Sequence, residues 1–144
     1  MICASSDIAI AISSWQQYLT SEDYAYLIQF IENIKNDISN DRMIILAGPS
    51  GTGKSTIVEH ISSYLGDELC GNCPMSGELI YDETIKKLGI FQGIDEISRS
   101  KKNNQAIINF IKYKQSFIAQ TNHIERVNAN LLQYSKVIMM THVF

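Results

Sequence analysis

The sequence is short of the residues that mark secreted, membrane-spanning and strongly charged proteins. Three cysteines in 144 residues is an odd and small number, which argues against a disulfide framework. Cys70 and Cys73 form a single CxxC, in Cys70-Gly71-Asn72-Cys73. A zinc site takes about four ligands, and no second CxxC or paired-histidine motif is present, so Cys3 and His60 would have to be recruited by the fold. Two reduced thiols in a turn is the simpler reading. No apolar run approaches the ~20 residues that cross a bilayer. The stretch Ile8-Ala9-Ile10-Ala11-Ile12 is too short, and no Lys or Arg precedes it as in a secretory signal. These absences predict a protein without membrane association. Its expected location is the cytoplasm, or the nucleus or viral replication site of an infected host cell. Charge of one sign is also missing. The net charge is −3, with nine acids and three bases in residues 1–69 against six acids and nine bases in residues 70–144. An acidic front and a mildly basic back exclude a general nucleic-acid binder and leave room for a local basic contact.

What is present reads as one globular domain. Apolar residues make up 45% and charged residues 19%, an ordinary soluble balance, and the length suits a single core. Residues 1–19 show no clear period and suggest a short helix or an arm. Thr20-Ser21-Glu22-Asp23 then offers an N-cap with acids in the first turn. Tyr24, Leu27, Ile28, Ile31, Ile34 and Ile38 recur at helical spacing, predicting a helix that ends between Asn36 and Asn40. Met43-Ile44-Ile45-Leu46-Ala47 is a continuous apolar run, as in a buried parallel strand. Beyond Lys54, Ile57, Val58, Ile61 and Leu65 share a helical face, and Gly66 is a natural stop. Further strands are predicted at Leu79–Tyr81, Leu88–Ile94, Ser116–Thr121 and Lys136–Met140. Helices are predicted over residues 104–113, with Ala106, Ile107, Phe110 and Ile111 inward, and over Asn128–Gln133. Five strands separated by helical segments imply an α/β sandwich around a mainly parallel sheet. Residues 1–40 would form an N-terminal helical segment packed on a core of residues 41–144.

Gly48-Pro49-Ser50-Gly51-Thr52-Gly53-Lys54-Ser55 matches the phosphate-binding pattern GxxxxGK[ST] throughout. Glycines let backbone N–H groups curl round phosphates, and the next helix points its positive end at them. Lys54 is expected on the β- and γ-phosphates of ATP or GTP, Ser55 on Mg²⁺, and Thr56 close by at the helix start. Strand, loop and helix follow one another in the order that makes a chance match improbable. Asp95-Glu96 follows an apolar strand, although Gln92 and Gly93 interrupt it. Asp95 is expected to hold Mg²⁺ and Glu96 to polarise the attacking water; the plainer alternative is a pair of acids that start a helix. Asn122 ends the strand Phe117–Thr121. It could contact the γ-phosphate or the attacking water, or simply form an Asx turn.

These three elements in this order resemble the AAA+ superfamily of P-loop ATPases. Two branches fit: the superfamily-3 helicases of DNA viruses, in particular poxvirus-type primase–helicases, and the clamp-loader ATPases. Besides the loop, Tyr64-Leu65-Gly66-Asp67, Asp95-Glu96, Gln120-Thr121-Asn122 and the tail Lys136–Phe144 carry the likeness to the first. It implies a three-layer sandwich, here without a helical lid, that uses ATP and Mg²⁺ and works as a homo-oligomer or with a partner ATPase subunit. It also implies single-stranded DNA as a partner, for which Arg99, Lys101, Lys102, Lys112 and Lys114 are the candidate contacts; a solvated basic face is the plainer reading of these. Where both branches place an arginine finger, this chain has Gln133-Tyr134-Ser135, and Arg126 is the nearest arginine. The function expected is the ATP-binding and ATP-hydrolysing core of a viral-type replication helicase. A small nucleotide kinase is the first alternative, though three arginines build a phosphate lid poorly. A switch or assembly factor that only binds ATP is the second.

Overall fold

The computed structural model describes residues 14–49, 51–66, 91–94 and 116–140, with positions 104, 105, 107, 108 and 111 of a helical stretch between them. Helix α1 (Ser21–Lys35) starts where the hydroxyl of Thr20 accepts the Asp23 N–H at 3.1 Å, with Glu22 and Asp23 in its first turn. It turns Leu27, Phe30, Ile31 and Ile34 into the core. Ile38, expected on this stripe, is instead 55% exposed. The helix stops before reaching it: Asp37 adopts a left-handed φ of 57°. The Ile38 N–H then closes onto the Asn33 carbonyl at 2.8 Å and the Asp37 N–H onto Ile34 at 3.3 Å. This is a Schellman ending with aspartate where glycine is usual.

All five residues of β1 (Met43–Ala47) are buried. Helix α2 (Lys54–Leu65) follows the glycine-rich loop and ends on Gly66, whose φ is 85°. Then come β2 (Phe91–Ile94), β3 (Ser116–Thr121), α3 (Ala129–Gln133, with Asn128 as its N-cap) and β4 (Ser135–Met139). The last strand begins and ends one residue earlier than expected. Among the described residues the four strands form one sheet in the order β2-β3-β1-β4, and every pairing is parallel. Ala47 stands beside Thr121 on one side and Met139 on the other, so the strands around β1 finish together.

Alternation along β1 divides the core into two. Ile44 and Leu46, with Ile118 and Ile138, face α1 and α2 and meet Trp15 and Leu19 from the chain's beginning. Met43 and Ile45, with Phe117 and Ala119, face Ile107, Ile108, Ile111 and Leu131. The result is helix, sheet, helix, as the sequence pattern implies. A buried polar clamp ties α1 to the start of β3: Asn40 Nδ2 donates to the Phe30 carbonyl at 3.2 Å and to Ser116 Oγ at 3.1 Å. The strand expected at 79–81, residues 88–90, Ala106, Phe110 and all three cysteines lie outside the described residues. No helix among those described is long and apolar enough to cross a membrane.

Replacing Asp37 by glycine should relieve the left-handed backbone. The expected gain is about 0.5 kcal/mol, the αL penalty less the extra chain entropy of glycine. Urea unfolding measures it, and a loss of stability would contradict the assignment.

Candidate functional site

The loop after β1 is pinned at its first residue. The Gly48 N–H donates to the Thr121 carbonyl at 3.2 Å, and the Met140 N–H donates to the Ala47 carbonyl at 2.7 Å. A Cβ at Gly48 would lie 2.1 Å from the Met140 carbonyl oxygen, and φ there is 153°. Any side chain would drive the loop off the sheet. Gly51 and Gly53 take φ of 84° and 86°, a region that residues with a Cβ avoid. Gly53 is the N-cap of α2 and brings no side-chain cap. The first N–H groups of that helix therefore lack the usual side-chain acceptor, and they suit an anion.

Lys54 is 6% exposed. Its ammonium donates to the carbonyls of Gly48 at 2.8 Å and Pro49 at 2.7 Å, and to Thr52 Oγ1 at 3.3 Å. Thr52 Oγ1 in turn donates to the Pro49 carbonyl at 2.8 Å. A largely dry cation beneath an uncapped helix start is what a triphosphate would meet. Ser55 Oγ donates to Gln120 Oε1 at 3.0 Å. Its proton is thus engaged by the amide, which leaves an oxygen lone pair for a metal ion. Among the described residues this hydroxyl is one oxygen of the kind that Mg²⁺ takes.

Asn122 is exposed, directly after β3. It follows Thr121, whose carbonyl holds Gly48, so the two elements meet at one end of the sheet. Strand β2 ends at Ile94 beside Ala119. Asp95 and Glu96 follow it in sequence but lie outside the described residues, as do Ser50, Arg99, Lys101, Lys102, Lys112 and Lys114. Arg126 is exposed, in a 3-10 turn spanning Ile124–Arg126. On that turn the carboxyl of Glu125 is held below its ordinary value, first by a backbone hydrogen bond and then by His123, 3.3 Å away. Among the described residues, no group of three or more His, Cys, Asp or Glu could hold a metal ion.

One feature escapes the motifs. A hollow of about 340 Å³ adjoins the loop, with Gly51 to Gly53 at one end. Trp15, Tyr18, Leu19, Thr56, Ile57 and Met140 complete its wall. Much of its lining is aromatic or aliphatic, a surface that suits a nucleotide base. The available signal was the spacing of Trp15, Tyr18 and Leu19, too short a stretch to stand out as periodic.

The fold has solved counterparts. The RuvB Holliday junction branch migration motor of Thermotoga maritima superposes with a TM-score of 0.57 at 19% identity, over 86% of this chain and 45% of that one. PCH-2 of C. elegans gives 0.55 at 16% identity, over 88% and 44%. The AAA domain of FIGL-1, solved with ADP, gives 0.52 at 15%, over 88% and 55%. The chain has the fold of AAA+ P-loop ATPase domains. Among curated relatives, RuvB-like helicase 1 of Aedes aegypti is 39% identical over 57 residues, 40% of this chain and 12% of that protein. A Mycoplasma pneumoniae protein described as an ABC transporter ATP-binding protein is 29% identical over 72 residues, 47% of this chain and 21% of that relative. The chain thus spans less than a quarter of these curated relatives and about half of the solved AAA+ chains. No family model matches it.

Gly48→Ala should weaken ATP binding about tenfold or more, because the loop must leave its place against Met140. Titration with a fluorescent ATP analogue checks this; unchanged affinity would show that the contact does not shape the site.

Proposed function

We propose that this chain is the ATP-binding and ATP-hydrolysing core of a helicase- or motor-type AAA+ protein. The observation that carries the reading is a joined pair of compartments. A glycine arch around Lys54 suits phosphates, and an aromatic hollow at its end suits a base. Together they match a nucleoside triphosphate better than either a bare phosphate or a flat apolar ligand.

In this reading Lys54 moves from the loop carbonyls to the β- and γ-phosphates as ATP enters. The N–H groups of the loop and of the α2 start hold the remaining phosphate oxygens. Ser55 and Asp95 would hold Mg²⁺, which supplies charge neutralisation on the phosphates when bound. Glu96 takes a proton from the attacking water, and Asn122 orients that water or the γ-phosphate. With Arg42, Arg99 and Arg126 as the chain's arginines, positive charge to complete the site would come from a neighbouring subunit or partner ATPase.

The motor assignment is supported by the likeness to RuvB and to a RuvB-like helicase. The finer assignment, to a viral replication helicase of superfamily 3, rests on sequence motifs alone, and none of the relatives named above is of that type. Single-stranded DNA as a partner likewise rests on the basic residues from Arg99 to Lys114. A nucleotide kinase finds little support in a chain with three arginines.

Glu96→Gln separates a hydrolase from a protein that only binds. The substitution should leave ATP affinity near that of the wild type and lower turnover by about 100-fold or more. Phosphate release, with and without single-stranded DNA, is the measurement. No turnover in either protein, from a monomer indifferent to DNA, would favour the ATP-ordered switch instead.

A further inference from the structure

Trp15 is backed by a second ring on the side of α2. The His60 imidazole lies flat against the indole, with centroids 5.4 Å apart and planes 4° from parallel. At that separation the rings are offset-stacked, the arrangement aromatic pairs favour over a face-centred sandwich. His60 stands three residues after Ile57 and four after Thr56. Such spacing puts it on the same flank of α2 as those two wall residues, one turn further along.

The histidine is a costly way to fill this place. Its Nδ1 is shielded from solvent and finds no hydrogen-bond partner among the described residues. A buried ring nitrogen left unpaired is unfavourable, and such groups are few in folded proteins. An aliphatic side chain of similar bulk would occupy the space without that penalty. What the imidazole adds is a flat, polarisable face for the indole. Trp15 sits on a 3-10 turn of three residues, Trp15–Gln17, and its ring packs into the core beside Leu19. The imidazole adds an aromatic face to that packing.

We infer that His60 is a positioning residue for base recognition. It holds the Trp15 indole as a preset wall of the hollow, so affinity for ATP depends on it and affinity for bare phosphates does not. The inference rests on the reading of the hollow as the base pocket.

Trp15 is the chain's sole tryptophan, so its emission reports this wall directly. The test titrates ATP and inorganic tripolyphosphate into the wild type and into His60→Ala, His60→Leu and His60→Phe. In the wild type, ATP should change Trp15 emission and tripolyphosphate should not. His60→Ala and His60→Leu should each weaken ATP binding roughly 2- to 10-fold with tripolyphosphate affinity unchanged. His60→Phe, which keeps a flat ring, should restore ATP affinity and the emission response. The leucine variant carries the comparison if alanine prevents folding. Equal losses for both probes, or leucine performing as well as phenylalanine, would mean that His60 only packs α2, and would overturn the inference alone. A wild-type emission indifferent to ATP, with ATP bound no better than tripolyphosphate, would overturn the base pocket and the inference with it.

Discussion

The backbone of Gly48 runs so close to β4 that a single added carbon would meet the Met140 carbonyl oxygen at 2.1 Å. That approach is held from both sides, by the Thr121 carbonyl at the end of β3 and by the Met140 N–H bonding back to Ala47. The loop therefore leaves the sheet in one place and one direction. Everything in the site inherits its position from this point. Lys54 is buried because the arch closes over it, and the α2 N-terminus is open because glycine, not a capping side chain, precedes it. The hollow beside the loop takes Met140 as part of its wall. In an α/β sheet the ligand crevice lies beyond the strands' carboxyl ends, and here one glycine determines how that crevice is shaped.

Much of this architecture was legible because its signals are local. A run of five apolar residues leading into a glycine-rich loop suits a strand covered on both faces, and β1 is buried throughout. Thr20 and Gly66 announce the ends of helices through their own chemistry, and the glycine-lysine spacing of the loop encodes its shape directly. Periodicity carries the α1 stripe on to Ile38 and passes over Phe30, whereas Phe30 is buried and Ile38 is exposed. Hydrophobic periodicity continues through the chain whether or not the helix does, and Asp37 is a weaker stop signal than glycine.

What stayed hidden is made by contacts between distant residues. Ser55 meets Gln120 across 65 positions, and Asn40 meets Ser116 across 76. No local pattern reports such pairs. The hollow proposed for the base is the same kind of feature: Trp15, Tyr18 and Leu19 acquire meaning only when the fold lays them beside the loop. The acids expected to complete the chemistry, Asp95 and Glu96, follow β2 in sequence and lie outside the described residues.

The central claim is that the loop from Gly48 to Ser55 binds ATP through Lys54. Calorimetric titration of ATP into the wild type and into Lys54→Ala tests it most directly. The account predicts saturable one-site binding in the wild type and its loss, by about 100-fold or more, in the variant, as removal of a largely desolvated charge against phosphate implies. ATP affinity unaltered by the substitution would contradict it.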